Sequence, residues 1–439
     1  MPTTQPPLTA AAIAAVRRGL QVALDGPSGL DDAGRLDAIR ALEELACTVS
    51  AAQTALTAEL ADSTAADHEV LGIPADRRGQ GVASMVAIAR RESPHRGRRH
   101  LGLAQVVQRE LPHTWSAWRA GRITEWRATV IARETACLSL EHRLAVDEAL
   151  ASDPDAIEAM SERQVVAAAT AEAARLDAAS LVARRRKAES ERCVSIRPAP
   201  DTMVWLTALL PVASGVAVHA ALTREADTAR AQGDPRTKGQ VMADELVARV
   251  TGDSADRGPG VTLNLVMPHD ALLGTSDEPA HLTDLGPIPA ELAREVVAGA
   301  VASGDEVWLR RLYASPTTGE LVAMDSRARA RRFPAGLARF IRLRDQVCRT
   351  PWCDAPIRHA DHVHRHDDGG PTSGRNGQGA CEACNYAKEA PRWRARPGPD
   401  GSVTTTLPTG HTYSTRPPPI ATVRRRALPA LRIDYVLTG

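Results

Sequence analysis

Residues 359–388 read HADHVHRHDDGGPTSGRNGQGACEACNYAK, and their first twelve positions hold four of the chain's thirteen histidines and three aspartates. A Gly-Gly turn, a Gly-rich loop and a C-x2-C pair follow within the same thirty residues. Upstream, CRTPWC at 348–353 supplies a second pair with C-x4-C spacing, 27 residues before CEAC at 381–384. Thiolates two to four residues apart can hold one zinc ion from a tight turn, and two such turns complete a tetrahedron. Cys348, Cys353, Cys381 and Cys384 are therefore the expected ligands of a structural Zn²⁺. A redox role for CEAC alone needs a strand-to-helix context and leaves the first pair unused. Zinc held by four cysteines has no open position, so any chemistry belongs to what the frame encloses.

Outside the frame the chain is ordinary in charge and hydropathy. Its 439 residues, with net charge +1, suffice for two or three domains, and a basic footprint must be local. Lys and Asn each occur three times, and Lys388, Asn376 and Asn385 fall inside the quoted stretch. The N-terminus lacks a basic segment before its short apolar run, so it does not read as a secretory signal. Uncharged residues 203–223 read as a strand followed by a helix, interrupted by Pro211, rather than a membrane span. The expected location is cytoplasmic, with no membrane partner. Cys47, Cys137 and Cys193 are isolated and read as buried free thiols.

Residues 1–33 read as a flexible leader. From 34 to 325 apolar residues recur at spacings of three and four, beginning with LDAIRALEELACTVSAAQTALTAELAD. Residues 155–192 read as one long helix ending in ARRRKAESER, whose RRRK run reads as a solvated basic face. CVSIRPAPDTMVWLTALLP reads as two strands about a Pro-Asp turn, VTLNLVMP as a third, and VWLRRLYASPTTGELVAMD as a hairpin. The region 326–396 forms the cysteine-framed module, and 397–439 a hairpin with a loosely ordered tail. The fold class is α+β: a mainly helical N-terminal domain with a small sheet, then a small stapled module.

The motif ADHVHRHDDGGPTSGRNGQGACEACNYAK resembles the HNH endonuclease family in its four-cysteine form. The family pattern is an Asp-His pair on a strand, a Gly-Gly turn, an Asn in the loop, then C-x2-C-[HN]-x2-K on a helix. Residues LPHTWSAWRAGRITEWRATVI, VSIRPAPDTMVWLTALLP and HLTDLGPIPAELAREV resemble the domain of unknown function 222 that precedes such modules. The resemblance implies a ββα-metal fold and phosphodiester hydrolysis. His362 would act as general base, near-neutral imidazole being suited to it. Asp361 and Asn385 would hold one catalytic divalent ion, Mg²⁺ or Mn²⁺ given an oxygen-donor pair. Asn376 would hold the loop and Lys388 meet a phosphate. In an ideal pleat Asp361 and His362 point to opposite faces, so a twist is required for both to serve one site. His359 and His366 read as accessory, and His364 as sharing the His362 strand face. Arginines from Arg327 to Arg349, with Arg392, Arg394 and Arg396, form an expected DNA-backbone patch. A dimer would follow if both strands are cut. The rival reading is a zinc-stapled DNA-binding or regulatory protein without useful catalysis, which has no need of Asp361, His362 and Asn385.

Overall fold

The apolar stripe that begins at Leu36 continues through one helix, Asp32–Val70, in the computed structural model, which describes residues 8–252, 264–283, 285–302 and 332–419. The chain forms two compact units, Met1–Leu60 with Leu101–Val182, and Ala61–His100 with Ala183–Gly439.

The first unit is helical. Its core gathers Trp118, Ile131, Val146, Ile157, Val165 and Ala169, all fully buried. Pro112 opens the helix Pro112–Arg119, where a missing N–H costs nothing. The remaining orphan donors meet a buried carboxylate: Asp147 accepts from His113 N at 2.6 Å, Thr114 N at 3.0 Å and the Thr114 hydroxyl at 2.5 Å. Two expectations change here. The leader contains a helix, Ala10–Leu24, capped by Thr9 and burying no residue, as high alanine content permits without tertiary support. The single helix expected over 155–192 is three: Pro154–Ala159, Glu162–Leu176 and Ala178–Ser190. Ser161 and Gln164 form a reciprocal capping box that starts the second. Asp177 leaves helical geometry and accepts from Ser180 N at 2.9 Å, starting the third.

The second unit carries the strands. Cys193–Pro198 and Val204–Leu209 pair antiparallel about the Pro-Asp turn. Helix Val212–Ala231 follows, so residues 203–223 are a strand and part of a helix. Among the described residues no helix is long and apolar enough to cross a membrane. Cys193 is exposed and Cys137 half-buried; of the three isolated cysteines, only Cys47 is a buried thiol. Leu265–Val266, Ala280–Leu282 and Gly286–Ile288 make a small antiparallel sheet. The hairpin expected over 307–325, the connector at 326–331 and the tail from 420 lie outside the described residues.

The cysteine frame follows helix Ala335–Asp345. Inside it, strand His359–His362 pairs antiparallel with Gly377–Ala380, and helix Glu382–Ala387 packs on the first strand. The expected C-terminal hairpin, Val403–Thr406 with Thr412–Thr415, gains a third strand, Arg394–Pro397.

Candidate functional site

The four frame cysteines converge. Each is at most 7% exposed, and their sulfurs lie within 4.8 Å of one another. Cys353 Sγ and Cys381 Sγ are 3.8 Å apart. A tetrahedral zinc with bonds of about 2.3 Å has sulfur–sulfur edges of about 3.8 Å, so the donor set fits a structural zinc. The looser C-x4-C half closes because Trp352 adopts φ +57° in the turn and Cys348 N reaches Ala355 O at 3.0 Å. Cys381 caps helix Glu382–Ala387, its sulfur accepting from Cys384 N at 3.4 Å. Four thiols this close cannot ionise independently. Hydrogen bonding with Cys353 lowers the Cys348 pKa to about 7, and hydrogen bonding with Cys348 lowers Cys381. The same network pushes Cys353 and Cys384 up. A divalent cation relieves that conflict by taking all four as thiolates.

The enclosed hairpin ends at the Asp-His pair. His362 is 5% exposed; its Nε2 lies 2.9 Å from the Thr372 hydroxyl, and its ring centroid 4.6 Å from that of Phe333. Asp361 Oδ1 approaches His362 Nδ1 to 3.9 Å. The two side chains thus come within reach of each other at the last two residues of the strand, although both are still paired in the ladder, Asp361 with Gln378 and His362 with Gly377. Lys388 pairs with the Asp361 carboxylate and donates to His362 O at 2.8 Å. Its ammonium is engaged by the strand rather than extended into solvent. Asn385, one turn earlier on the same helix face, presents a buried Oδ1 with no hydrogen-bond partner. A buried acceptor without a donor is costly unless it meets a donor or a cation.

Asn376 secures the loop. Its Oδ1 accepts from His364 N, and its Nδ2 donates to His364 O and Pro371 O, each at 2.9 Å. It binds backbone on both sides of the Gly-Gly turn, which ties the His362 strand end to the loop. His364 is exposed and lies beyond the strand, which ends at His362; Val363 is buried between them. The expected shared face of His362 and His364 therefore does not form, because the Asn376 contacts turn the chain there. His359 is exposed, and the His366 ring is 5.5 Å from that of His362. Gly370 is required by crowding: a Cβ there would sit 2.0 Å from His364 O.

Two groups have no local signature. Thr372 meets His362 only through the fold. Asp345, fully buried, accepts from Arg344 Nε at 2.6 Å, Arg344 Nη2 at 2.9 Å, Arg349 Nη1 at 3.0 Å and Gly379 N at 2.7 Å. The only sequence hint is RDQVCR, an acid with arginines one residue before and four after. This triad corrects the DNA-patch expectation at Arg344 and Arg349: both are buried and bind the protein's own backbone, Arg349 reaching Thr415 O at 2.9 Å. Arg332, Arg339, Arg342, Arg392, Arg394 and Arg396 are exposed.

These features define an α+β protein with a four-cysteine centre that fits zinc. The family model described as Domain of unknown function (DUF222) matches residues 36–345, and the chain belongs to that family. The match ends at Asp345, three residues before the first frame cysteine. "Uncharacterized protein Rv3776" of Mycobacterium tuberculosis is 29% identical over 457 residues, covering 90% of this chain and 82% of that protein. "Uncharacterized protein Rv2100" of the same species is 32% identical over 211 residues, covering 47% of this chain and 34% of that protein. No solved structure matches.

Proposed function

We propose that the protein is a metal-dependent endonuclease of the HNH type that hydrolyses phosphodiester bonds of DNA. The observation that carries the proposal is the Asp361–His362 pair at the end of a strand on which helix Glu382–Ala387 packs, that helix bearing a buried, unpartnered Asn385 Oδ1 and the Cys381–Cys384 half of the four-cysteine centre. A module that only bound zinc would have no use for an unsatisfied buried amide oxygen on the helix that packs against the Asp361 strand.

In this reading Nε2–H of His362 donates to Thr372, so the lone pair that accepts a proton from water is on Nδ1, toward Asp361. Phe333 against the ring restricts its rotation. Asp361 and Asn385 would hold the Mg²⁺ or Mn²⁺, which polarises the scissile phosphate and stabilises the departing oxyanion. Lys388 balances the Asp361 carboxylate and anchors the strand end through His362 O. Asn376 keeps the loop closed behind His362. Exposed Arg392, Arg394 and Arg396 suit phosphate neutralisation without base readout. One such site serves one strand, so cutting both would use two chains.

The test is supercoiled plasmid incubated with purified protein in Mg²⁺ or Mn²⁺, with an EDTA control. Nicked product that EDTA abolishes supports the reading. Intact plasmid that is nevertheless retarded on a gel would replace it with the DNA-binding reading.

A further inference from the structure

A second basic surface lies far from the cysteine frame in sequence but within the same unit. Residues 90–100 read RRESPHRGRRH, five arginines with Glu92 as the lone acid. Glu92 is shared, lying 2.7 Å from buried His100 Nε2, 3.8 Å from Arg90 Nε and 3.9 Å from Arg96 Nη1, so one acid faces three basic side chains. Arg91, His95, Arg96, Arg98 and Arg99 are exposed. On helix Pro94–Glu110, His95, Arg98 and Arg99 point away from buried Gly97 and His100, and Arg96 stands one turn before His100 on its flank.

The fold ties this surface to the proposed site. Gly97 sits so close to helix Val82–Arg90 that a Cβ there would meet Ala83 O at 2.1 Å, so the two helices touch by backbone. The preceding loop then rests on the cysteine module. Gln80 Nε2 donates to Tyr386 O at 2.9 Å, and a Cβ on Gly81 would lie 2.9 Å from Ala390 Cβ. The Arg91 guanidinium lies 5.9 Å from the Trp352 ring centroid, inside the C-x4-C turn. Two packing steps therefore separate the basic helix from helix Glu382–Ala387.

We infer that Arg96, Arg98 and Arg99 form a backbone-contact surface for a nucleic-acid duplex, on the same unit as the Asp361–His362 pair. The inference rests on the nuclease reading for the identity of the bound polymer, and the experiment separates the two. Arginines exposed on neighbouring faces of one helix neutralise phosphates and by themselves read no sequence. Such contact is electrostatic and follows counterion release, with about 0.9 in the salt slope per phosphate neutralised.

Binding of a fluorescent 30-base-pair duplex is measured by anisotropy from about 50 to 200 mM salt, in the His362→Ala background so that no cleavage intervenes. The triple variant Arg96→Ala/Arg98→Ala/Arg99→Ala should lower the slope by about 2.7, making the salt-induced loss about 40-fold smaller over that range. The matching triple Lys variant should keep the parental slope, which guards against a folding defect in the alanine protein. An unchanged slope in the alanine variant, equal losses in both variants, or no duplex binding by the parent would each overturn the surface. Plasmid nicking by the wild-type protein reports on the nuclease reading separately. A protein that nicks but keeps its slope in the alanine variant loses only the surface, and one that loses slope but never nicks loses only the nuclease.

Discussion

Replacing Asp345 with Asn should unfold the cysteine module far more readily than its single-atom change suggests. The carboxylate is fully buried and accepts four hydrogen bonds, three from the Arg344 and Arg349 guanidinia and one from Gly379 N. Asparagine keeps one acceptor oxygen, removes the charge, and turns an NH2 group toward donors. Both buried guanidinia then lose the carboxylate they share. Breaking a buried pair from one side costs about 3–5 kcal/mol, because the remaining charge stays desolvated. In a unit larger than 250 residues each kcal/mol moves Tm by about 2 °C, so the expected drop is about 6–10 °C. The same change frees strand Gly377–Ala380 from helix Ala335–Asp345, and that strand is the partner of Asp361 and His362. Thermal melting by tryptophan fluorescence, with zinc content measured on the folded protein, reads both effects. A Tm within about 2 °C of wild type would refute the reasoning, since it would mean the triad is solvated or dispensable.

Three further outcomes follow from the geometry. Cys384→Ser should abolish stoichiometric zinc and lower stability by several kcal/mol, because three thiolates and a hydroxyl no longer match the tetrahedral set; metal analysis after dialysis checks it. Zinc retention should also fall as pH drops, since every ligand must bind as thiolate and protons compete for it; a zinc-release titration with a colorimetric chelator would show no pH dependence if the thiols are not the ligands. Gly370→Ala should destabilise the module by about 1–3 kcal/mol, because the added methyl would lie 2.0 Å from His364 O and the turn must open; an unchanged melt would show that the turn is slack.

The helical spacing from Leu36 onward was legible because periodicity is local, and so was the zinc frame, because ligand spacing is local. The turn at Asp367–Gly370 was legible for the same reason. What stayed hidden depends on residues distant in sequence. Thr372 against His362, Asp345 against Gly379, and Lys388 against Asp361 exist only once the hairpin and its helix have packed. The long helix expected over 155–192 failed where two capping groups outweighed alanine propensity. The arginine run misled because charge in a sequence does not say which guanidinium turns inward. Arg344 and Arg349 do, while the arginines of 91–99, which no motif singles out, remain at the surface.

The proposed base is tested most directly by single-turnover cleavage of plasmid by wild type and His362→Ala side by side, in saturating Mn²⁺, with zinc content confirmed equal. The account predicts that the variant retains its zinc and its DNA binding while cleavage falls by at least 10²-fold, the scale of a lost general base. Equal cleavage by the two proteins would contradict it.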